Sequence, residues 1–167
     1  LLTRWLGRRR SWLLLSQALI AAGLVGMGLQ DPQQTLMPMV WCALAVAFGS
    51  ATQDIALDAY RIESASVDAQ AALAATYQTG YRLAMIWAGA GVLWLAAQVQ
   101  GAASGYDPLA WRWAYCAMAA SMLLGMVTVL LSPEPVPQPL APSRNVREWL
   151  QGALVAPFAD FLTRYRW

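Results

Sequence analysis

The chain has 167 residues, of which 59% are hydrophobic and only 12% are charged, and its mean hydropathy is +0.43. A soluble domain carries about 25% charged residues, so this composition excludes an ordinary soluble domain and indicates a membrane protein. All 11 basic residues are arginine and histidine is absent. Proton transfer near neutral pH would therefore have to use a carboxylate with a raised pKa.

Motifs for chemistry are missing from the sequence. The two cysteines, Cys42 and Cys116, lie in apolar runs and are interpreted as small buried hydrophobic residues. No metal-ligand spacing, phosphate loop or nucleophile motif occurs, so we expect no enzyme, no metal and no cofactor. The triplet Arg8–Arg10 flanks an apolar run and is interpreted as a topology determinant, not as a nucleic-acid site. Because the chain begins without Met and ends on an unfinished helical pattern, we expect a fragment of a longer protein.

Four long apolar runs follow one another along the chain. A helix needs about 20 apolar residues to cross a bilayer, and each run is long enough. Asp107 and Pro108 are typical of a helix cap and first turn, and Pro133–Glu134–Pro135 ends the last run. The sequence therefore predicts an all-α membrane protein with spans at about residues 11–30, 36–58, 72–98 and 110–132.

The arginines lie mostly on one side of these spans. The opposite side receives only Arg112, together with Asp31 and Asp107. Under the positive-inside rule this bias predicts that both ends of the chain are cytoplasmic. The arginines on the predicted cytoplasmic side are Arg4, Arg8, Arg9, Arg10, Arg61, Arg144, Arg147, Arg164 and Arg166.

Residues 133–167 are predicted to be cytoplasmic, with a Pro-rich spacer at 133–143 followed by an amphipathic helix. We expect this helix to lie on the inner membrane face and to lead into a further span, and a solvated linker helix is the alternative. Pro157 is expected to break or restart it. The apolar stripe consists of Val146, Trp149, Leu150, Ala153, Leu154, Phe158, Phe161, Leu162 and Tyr165.

Glycines within the spans predict close helix packing, because small residues let helices approach each other in lipid. Gly23, Gly26 and Gly28 occur in the first run. Gly89 and Gly91 occur in the third, and we expect that stretch to face a neighbouring helix.

The segment 48–82 holds most of the charge beside or inside the apolar runs. Asp54 and Asp58 are four residues apart, so they share one helix face, and Arg61 follows within a turn. Counted from the far ends of their antiparallel helices, Asp54 and Arg82 lie at the same depth, roughly 24 Å down. An unpaired charge there is costly, so we predict that Asp54 interacts with Arg82, with Asp58 as a second candidate.

Two roles for this predicted pair stay open. One is a fixed ion pair that holds two helices together or closes an inner gate. The other is a site for protons or a polar substrate in a wet cavity, where desolvation raises the pKa of a carboxylate and a guanidinium lowers it. Gln78, at the depth of Asp58, and Tyr81 belong to the same group of candidates.

Several segments resemble the AmpG-type muropeptide permeases of the major facilitator superfamily, in order and in spacing. The most specific is SATQDIALDAYRIE, at residues 50–63. The others are LGRRRSWLLLSQ at 6–17, GYRLAMIWAG at 80–89, SPEP at 132–135 and APFADFLTRYRW at 156–167.

The resemblance implies the third to sixth helices of a twelve-helix transporter, within its N-terminal bundle, followed by the central cytoplasmic segment. It implies import of anhydromuropeptides across the bacterial inner membrane, driven by protons, for cell-wall recycling. The other half of the transporter and the lipid bilayer are then partners. Candidates for substrate contact or coupling are Gln53, Asp54, Asp58, Tyr81 and Arg82.

Gly7, Arg8 and Arg9 match the gating turn between the second and third helices of that family. The acidic residue that the family has in this turn is absent from it, so a gating role lacks its expected partner.

Two other functions compete with this one. A relative in the same superfamily would carry another amphiphilic or anionic solute, such as an acyl-coenzyme A or a pterin. A small four-helix membrane scaffold or sensor would use the charged pair only to hold its helices together.

Overall fold

The computed structural model of the chain describes residues 6–102, 105–135, 145 and 150–164, and these residues contain no strand. Four of the helices are long and apolar enough to cross a membrane. The predicted all-α architecture with four spans is therefore confirmed. The long helices are α1 (Arg8–Leu29), α2 (Leu36–Ser64), α3 (Gln70–Gln100) and α4 (Pro108–Leu131), and a 3-10 turn, Val67–Ala69, precedes α3.

The helix ends follow the local sequence, with one extension. The Asp107 carboxylate accepts a hydrogen bond from the backbone N–H of Leu109 at 2.9 Å, and Pro108 occupies the first turn, as predicted for α4. Helix α2 continues to Ser64, beyond the predicted end of the span, because no Pro or Gly interrupts residues 59–64. This extension places Glu63, in the last turn of α2, beside Arg8 and Arg9 at the beginning of α1.

Helix α1 is the centre of the fold, since it packs along both α2 and α4. A Cβ on Gly23 would lie 3.1 Å from the Cys42 carbonyl oxygen, and one on Gly49 would lie 3.3 Å from the Ser16 carbonyl oxygen. The two backbones therefore touch where these glycines lie. Predicted close packing at Gly23 is thus present in the structure, and Gly26 and Gly28 also contact α2 and α4, respectively.

Helix α3 stands largely apart from the other three. Its single buried residue is Ala96, which packs with Ala110 and Ala114 of α4. From that alanine cluster α3 diverges from α4, and the space between them is an apolar crevice of about 710 Å³. The outward faces of the long helices are also apolar and exposed, which suits contact with lipid.

Gly89 and Gly91 contact no other helix among the described residues, so the packing expected for this stretch stays a prediction. Both lie in a π-helical turn of α3, Trp87–Gly91. A Cβ on Gly89 would meet nothing within 4 Å, and one on Gly91 would meet the indole ring of Trp87 in the same helix. Gly91 thus leaves room for that ring within the wider turn.

The second compact unit comprises residues 137–167, of which 145 and 150–164 are described. A π-helical turn, Gln151–Val155, leads into helix α5 (Ala156–Arg164). Pro157 does not break this helix, because it follows the π-turn and lies in the first turn of α5. Phe158, Phe161 and Leu162 are exposed, and Val146, Trp149 and Tyr165 of the predicted stripe lie outside the described residues.

Candidate functional site

A cluster of charged and aromatic side chains connects α2 with α3. Asp58 and Arg61 form an ion pair of 3.2 Å between neighbouring turns of α2. The Arg61 guanidinium carbon lies 5.2 Å from the ring centroid of Tyr77 on α3, which is a cation–π contact. The Tyr77 ring in turn stacks on Tyr81, with centroids 6.4 Å apart and planes inclined by 27°. We call these four residues, together with Asp54, the α2–α3 cluster.

Asp54 is the carboxylate of this cluster that has no cationic partner. It interacts electrostatically with Tyr77, as does Asp58. Among the described residues, no ion pair involves Asp54, whose side chain is exposed at the surface of α2. The cluster therefore combines one carboxylate that is paired with a guanidinium and one that has no ion pair among the described residues.

The predicted interaction of Asp54 or Asp58 with Arg82 does not form in the described part of the chain. The depths of these residues along their helices match, but Arg82 does not lie on the face of α3 that meets α2. Tyr77 lies on that face. Arg82 follows it by five residues, a rotation of about 500°, and therefore lies about 140° from Tyr77 around the helix. Arg61, only one turn from Asp58, takes the place of the predicted partner.

Gln53 and Gln78 are separated from the cluster in different ways. Gln53 lies one position before Asp54, so it points about 100° away, toward α1 and α4. There it lines a cavity of about 260 Å³ together with Gln17. Gln78 is exposed on α3, one position past Tyr77.

The arginine-rich end, defined by Arg8, Arg9, Arg10 and Arg61, holds a second network. The guanidinium of Arg9 donates two hydrogen bonds to the Glu63 carboxylate, one of them 2.9 Å from Nε to Oε2. Arg8 is 3.6 Å from the same carboxylate. Two of the three residues predicted as a gating turn therefore bind the last turn of α2. A bidentate pair of this kind fixes the relative position of its two helices.

Glu134 joins the end of α4 to the beginning of α1. Its carboxylate accepts the backbone N–H groups of Arg9 at 2.7 Å and of Arg10 at 3.1 Å. Such N–H groups have no partner within their own helix, and a negative charge is favoured there. Reciprocally, the Arg10 guanidinium donates to the carbonyl oxygens of Val129 and Leu130 in the last turn of α4.

Gly7 makes this arrangement possible. Its φ of +88° lies in a region that favours glycine, and a Cβ there would collide with the Glu134 side chain. The three residues of the predicted gating turn thus lie against two carboxylates, Glu63 in the last turn of α2 and Glu134 just after the end of α4.

Sequence reasoning missed four residues of these networks: Tyr77, Glu63, Glu134 and Gln17. Tyr77 had a local signal, since it lies one turn before the candidate Tyr81. Glu63 and Glu134 are 54 and 125 residues from Arg9, and no local pattern connects them. Within the described residues, no group of three or more His, Cys, Asp or Glu side chains could hold a metal ion.

The fold and these networks define a class: a multi-pass membrane protein whose charged groups line helix–helix boundaries. The family model of the Major Facilitator Superfamily matches residues 1–165. The chain belongs to that superfamily, and it is a multi-pass protein of the bacterial inner membrane.

Curated relatives extend the comparison. The chain is 36% identical over 158 residues to the anhydromuropeptide permease of Escherichia coli (strain K12), which covers 95% of this chain and 29% of that protein. It is 29% identical over 164 residues to a Rickettsia conorii protein named as an AmpG 4 transporter, covering 98% of this chain and 37% of that protein. An uncharacterised protein of Haemophilus influenzae is 40% identical over 133 residues, which are 78% of this chain and 29% of that protein.

The chain therefore spans about a third of the length of the curated relatives it matches. No solved structure gives a significant match to it.

Proposed function

We propose that this chain is part of a proton-coupled secondary transporter that imports anhydromuropeptides. The observation that carries the proposal is the α2–α3 cluster, in which Asp54, Asp58 and Arg61 meet Tyr77 inside helices long enough to span a bilayer. Ionisable groups at such positions mark substrate and ion pathways. The similarity to the Escherichia coli permease supports anhydromuropeptide as the solute.

Asp54 is the residue we assign to proton coupling. Asp58 forms an ion pair with Arg61, whereas Asp54 forms none among the described residues. A carboxylate within a span and without a fixed cationic partner is the group best placed to exchange protons with water.

Tyr77, Tyr81 and Arg61 are the residues we assign to solute contact. A muropeptide combines sugar rings with a peptide that carries carboxylates. Stacked tyrosine rings offer a flat surface for a sugar, and a guanidinium binds carboxylates with two parallel hydrogen bonds. Arg82 and Gln78, which lie on other faces of α3, remain candidates for contact with the same solute.

The network at the arginine-rich end is proposed as part of the cytoplasmic gate. Arg8, Arg9, Glu63 and Glu134 hold α1, α2 and α4 together at that end. The arginine bias supports a cytoplasmic location for it. The remaining helices of the transporter are the expected partners on the other side of the gate.

The test is uptake of labelled anhydromuropeptide by vesicles that contain the full-length protein. Asp54→Asn cannot be protonated and deprotonated, so uptake driven by a pH gradient should fall by at least tenfold. Collapse of the gradient with a protonophore should reduce wild-type uptake to the same level. Asp68→Asn, in the exposed 3-10 turn before α3, is the control and should transport normally.

Gradient-dependent uptake that survives Asp54→Asn would refute the coupling role of Asp54. Uptake of an acyl-coenzyme A or a pterin, with no muropeptide uptake, would instead support a different solute in the same superfamily. A complete lack of transport by the wild type would favour a scaffold or sensor.

A further inference from the structure

A cavity lies between α1, α2 and α4, on a face of α2 about 100° from that of the α2–α3 cluster. Its volume is about 260 Å³. Gln17, which is 5% exposed, lies at its inner wall about 14 Å from the first residue of α1. Tyr60 and Ser132 place the other side of the cavity toward the arginine-rich end.

Two carboxamide oxygens in this cavity lack a hydrogen-bond partner. These are the Oε1 atoms of Gln17 and Gln53, both fully buried and without a donor among the described residues. They come from different helices and line the same cavity. A buried polar atom without a partner is costly, and more so within the thickness of a bilayer.

The hydroxyl groups in the cavity wall do not supply the missing donors. Tyr60 donates its O–H to the Pro133 carbonyl oxygen at 2.7 Å. Thr128 and Ser132 donate theirs to backbone carbonyl oxygens of α4, at 2.7–2.8 Å. These three hydroxyls therefore present only acceptor lone pairs to the cavity. The two orphaned carboxamide oxygens therefore need a donor from an occupant of the cavity.

The cavity also has the room that a small donor needs. Gly125 faces Gln17 across it, and a Cβ at that position would lie 3.0 Å from the Gln17 amide nitrogen. The absence of this side chain keeps space beside the carboxamide. At about 30 Å³ for each water molecule, the cavity can hold several.

We propose that this cavity is a site for ordered water. The water bridges the carboxamides of Gln17 and Gln53 and so joins α1 to α2 at the interface that both share with α4. The proposal goes beyond the transport function, since it concerns side chains on another face of α2. Water is the occupant because none of the described residues that line the cavity has a carboxylate. A bound cation would have only neutral oxygens to balance its charge in a low-dielectric setting.

The test compares thermal unfolding of the full-length protein in detergent for Gln17→Leu, Gln53→Leu and the double variant. Each single change leaves the other carboxamide without its water, so Tm should fall by about 3 °C. The double change removes both orphaned groups, so its loss should be clearly smaller than the sum. Gln33→Leu, exposed in the turn between α1 and α2, is the matched control and should leave Tm unchanged.

Two further measurements use the wild-type protein alone and do not depend on the folding of a variant. A high-resolution structure of the wild type should show density within about 2.7–3.2 Å of both carboxamides. The Tm of the wild type should be equal in sodium, potassium and choline chloride at one ionic strength. Additive losses in the variants or an empty cavity would overturn the proposal, and stabilisation by one particular cation would replace water with that ion.

Discussion

Tyr77 is the residue through which the charges of α2 reach α3. One face of its ring receives the Arg61 guanidinium, and the ring also stacks on Tyr81. Asp58 holds Arg61 in place through their ion pair. The orientation of this aromatic surface therefore depends on a charged pair in the neighbouring helix, and a change in either would alter the proposed solute contact.

Replacing Tyr77 by Leu should raise the KM for anhydromuropeptide about fivefold, because Arg61 would lose the ring that positions its guanidinium for the solute, a contact worth about 1 kcal/mol. Tyr77→Phe keeps the ring and should transport nearly as well as the wild type. Uptake kinetics in vesicles measure both. An unchanged KM for Tyr77→Leu would remove Tyr77 from the solute site.

Adding a single methyl group at Gly7 tests its close contact with Glu134. Gly7→Ala should destabilise the protein by about 1–3 kcal/mol, since its φ of +88° is strained for other residues and the Cβ collides with Glu134. Gly80→Ala is the control, because a Cβ there meets nothing within 4 Å and alanine favours a helix. Thermal unfolding in detergent gives the comparison. Equal Tm values for the two variants would contradict the close contact between Gly7 and Glu134.

At the scale of helices, hydropathy was sufficient to predict the elements. Four apolar runs became α1 to α4, and the Asp107–Pro108 cap appeared where the sequence placed it. The π-helical turn of α3 was not predictable, because Gly89 and Gly91 fit a packing face equally well. Length and polarity fix where a helix runs, whereas its rotation depends on its neighbours.

The same limit explains what was predicted of the site. Periodicity placed Asp54 and Asp58 on one face, and depth placed Arg82 at the right height. Tertiary packing determines which face of α3 meets α2, and in the structure that face carries Tyr77. The contacts of Arg9 with Glu63 and Glu134 join distant segments, so no spacing rule could find them.

The contact between α1 and α2 provides a prediction for these elements. In Gly49→Ala the new Cβ would lie 2.9 Å from Ile20 Cγ1 and 3.3 Å from the Ser16 carbonyl oxygen. The two helices would have to separate, at a cost of about 1–3 kcal/mol. Gly89→Ala adds the same methyl group in open space and serves as the control. A Tm for Gly49→Ala that matches the control would show that the backbones are not in contact there.

In the described part of residues 1–136, α1, α2 and α4 form one packed group, and α3 contacts it through the alanine cluster and the α2–α3 cluster. Helices α1, α2 and α4 share interfaces along α1 and are tied at the arginine-rich end by Glu63 and Glu134. Helix α3 packs on α4 through the alanine cluster. Orientation of this assembly in the membrane is a prediction of the arginine bias alone.

Thiol labelling tests that orientation. In a background with Cys42 and Cys116 replaced by Ala, Gln34→Cys lies between α1 and α2, and Ser66→Cys lies between α2 and α3. A membrane-impermeant maleimide should label the first variant in intact cells and the second only after permeabilisation. The reverse pattern would invert the predicted topology.

Helix α3 contacts its neighbours at two widely separated places, the alanine cluster and the α2–α3 cluster, and this spacing has a mechanical consequence. Tyr77 lies 19 residues from Ala96, about 28 Å along the helix, so a small tilt about the alanine cluster moves Tyr77 a long way. A tilt of about 5° at the alanine cluster would displace Tyr77 by about 2.5 Å. That displacement is comparable to half of the 5.2 Å separating Arg61 from the Tyr77 ring. Rocking of one helix would thus engage or release the cluster while the other three keep their packing.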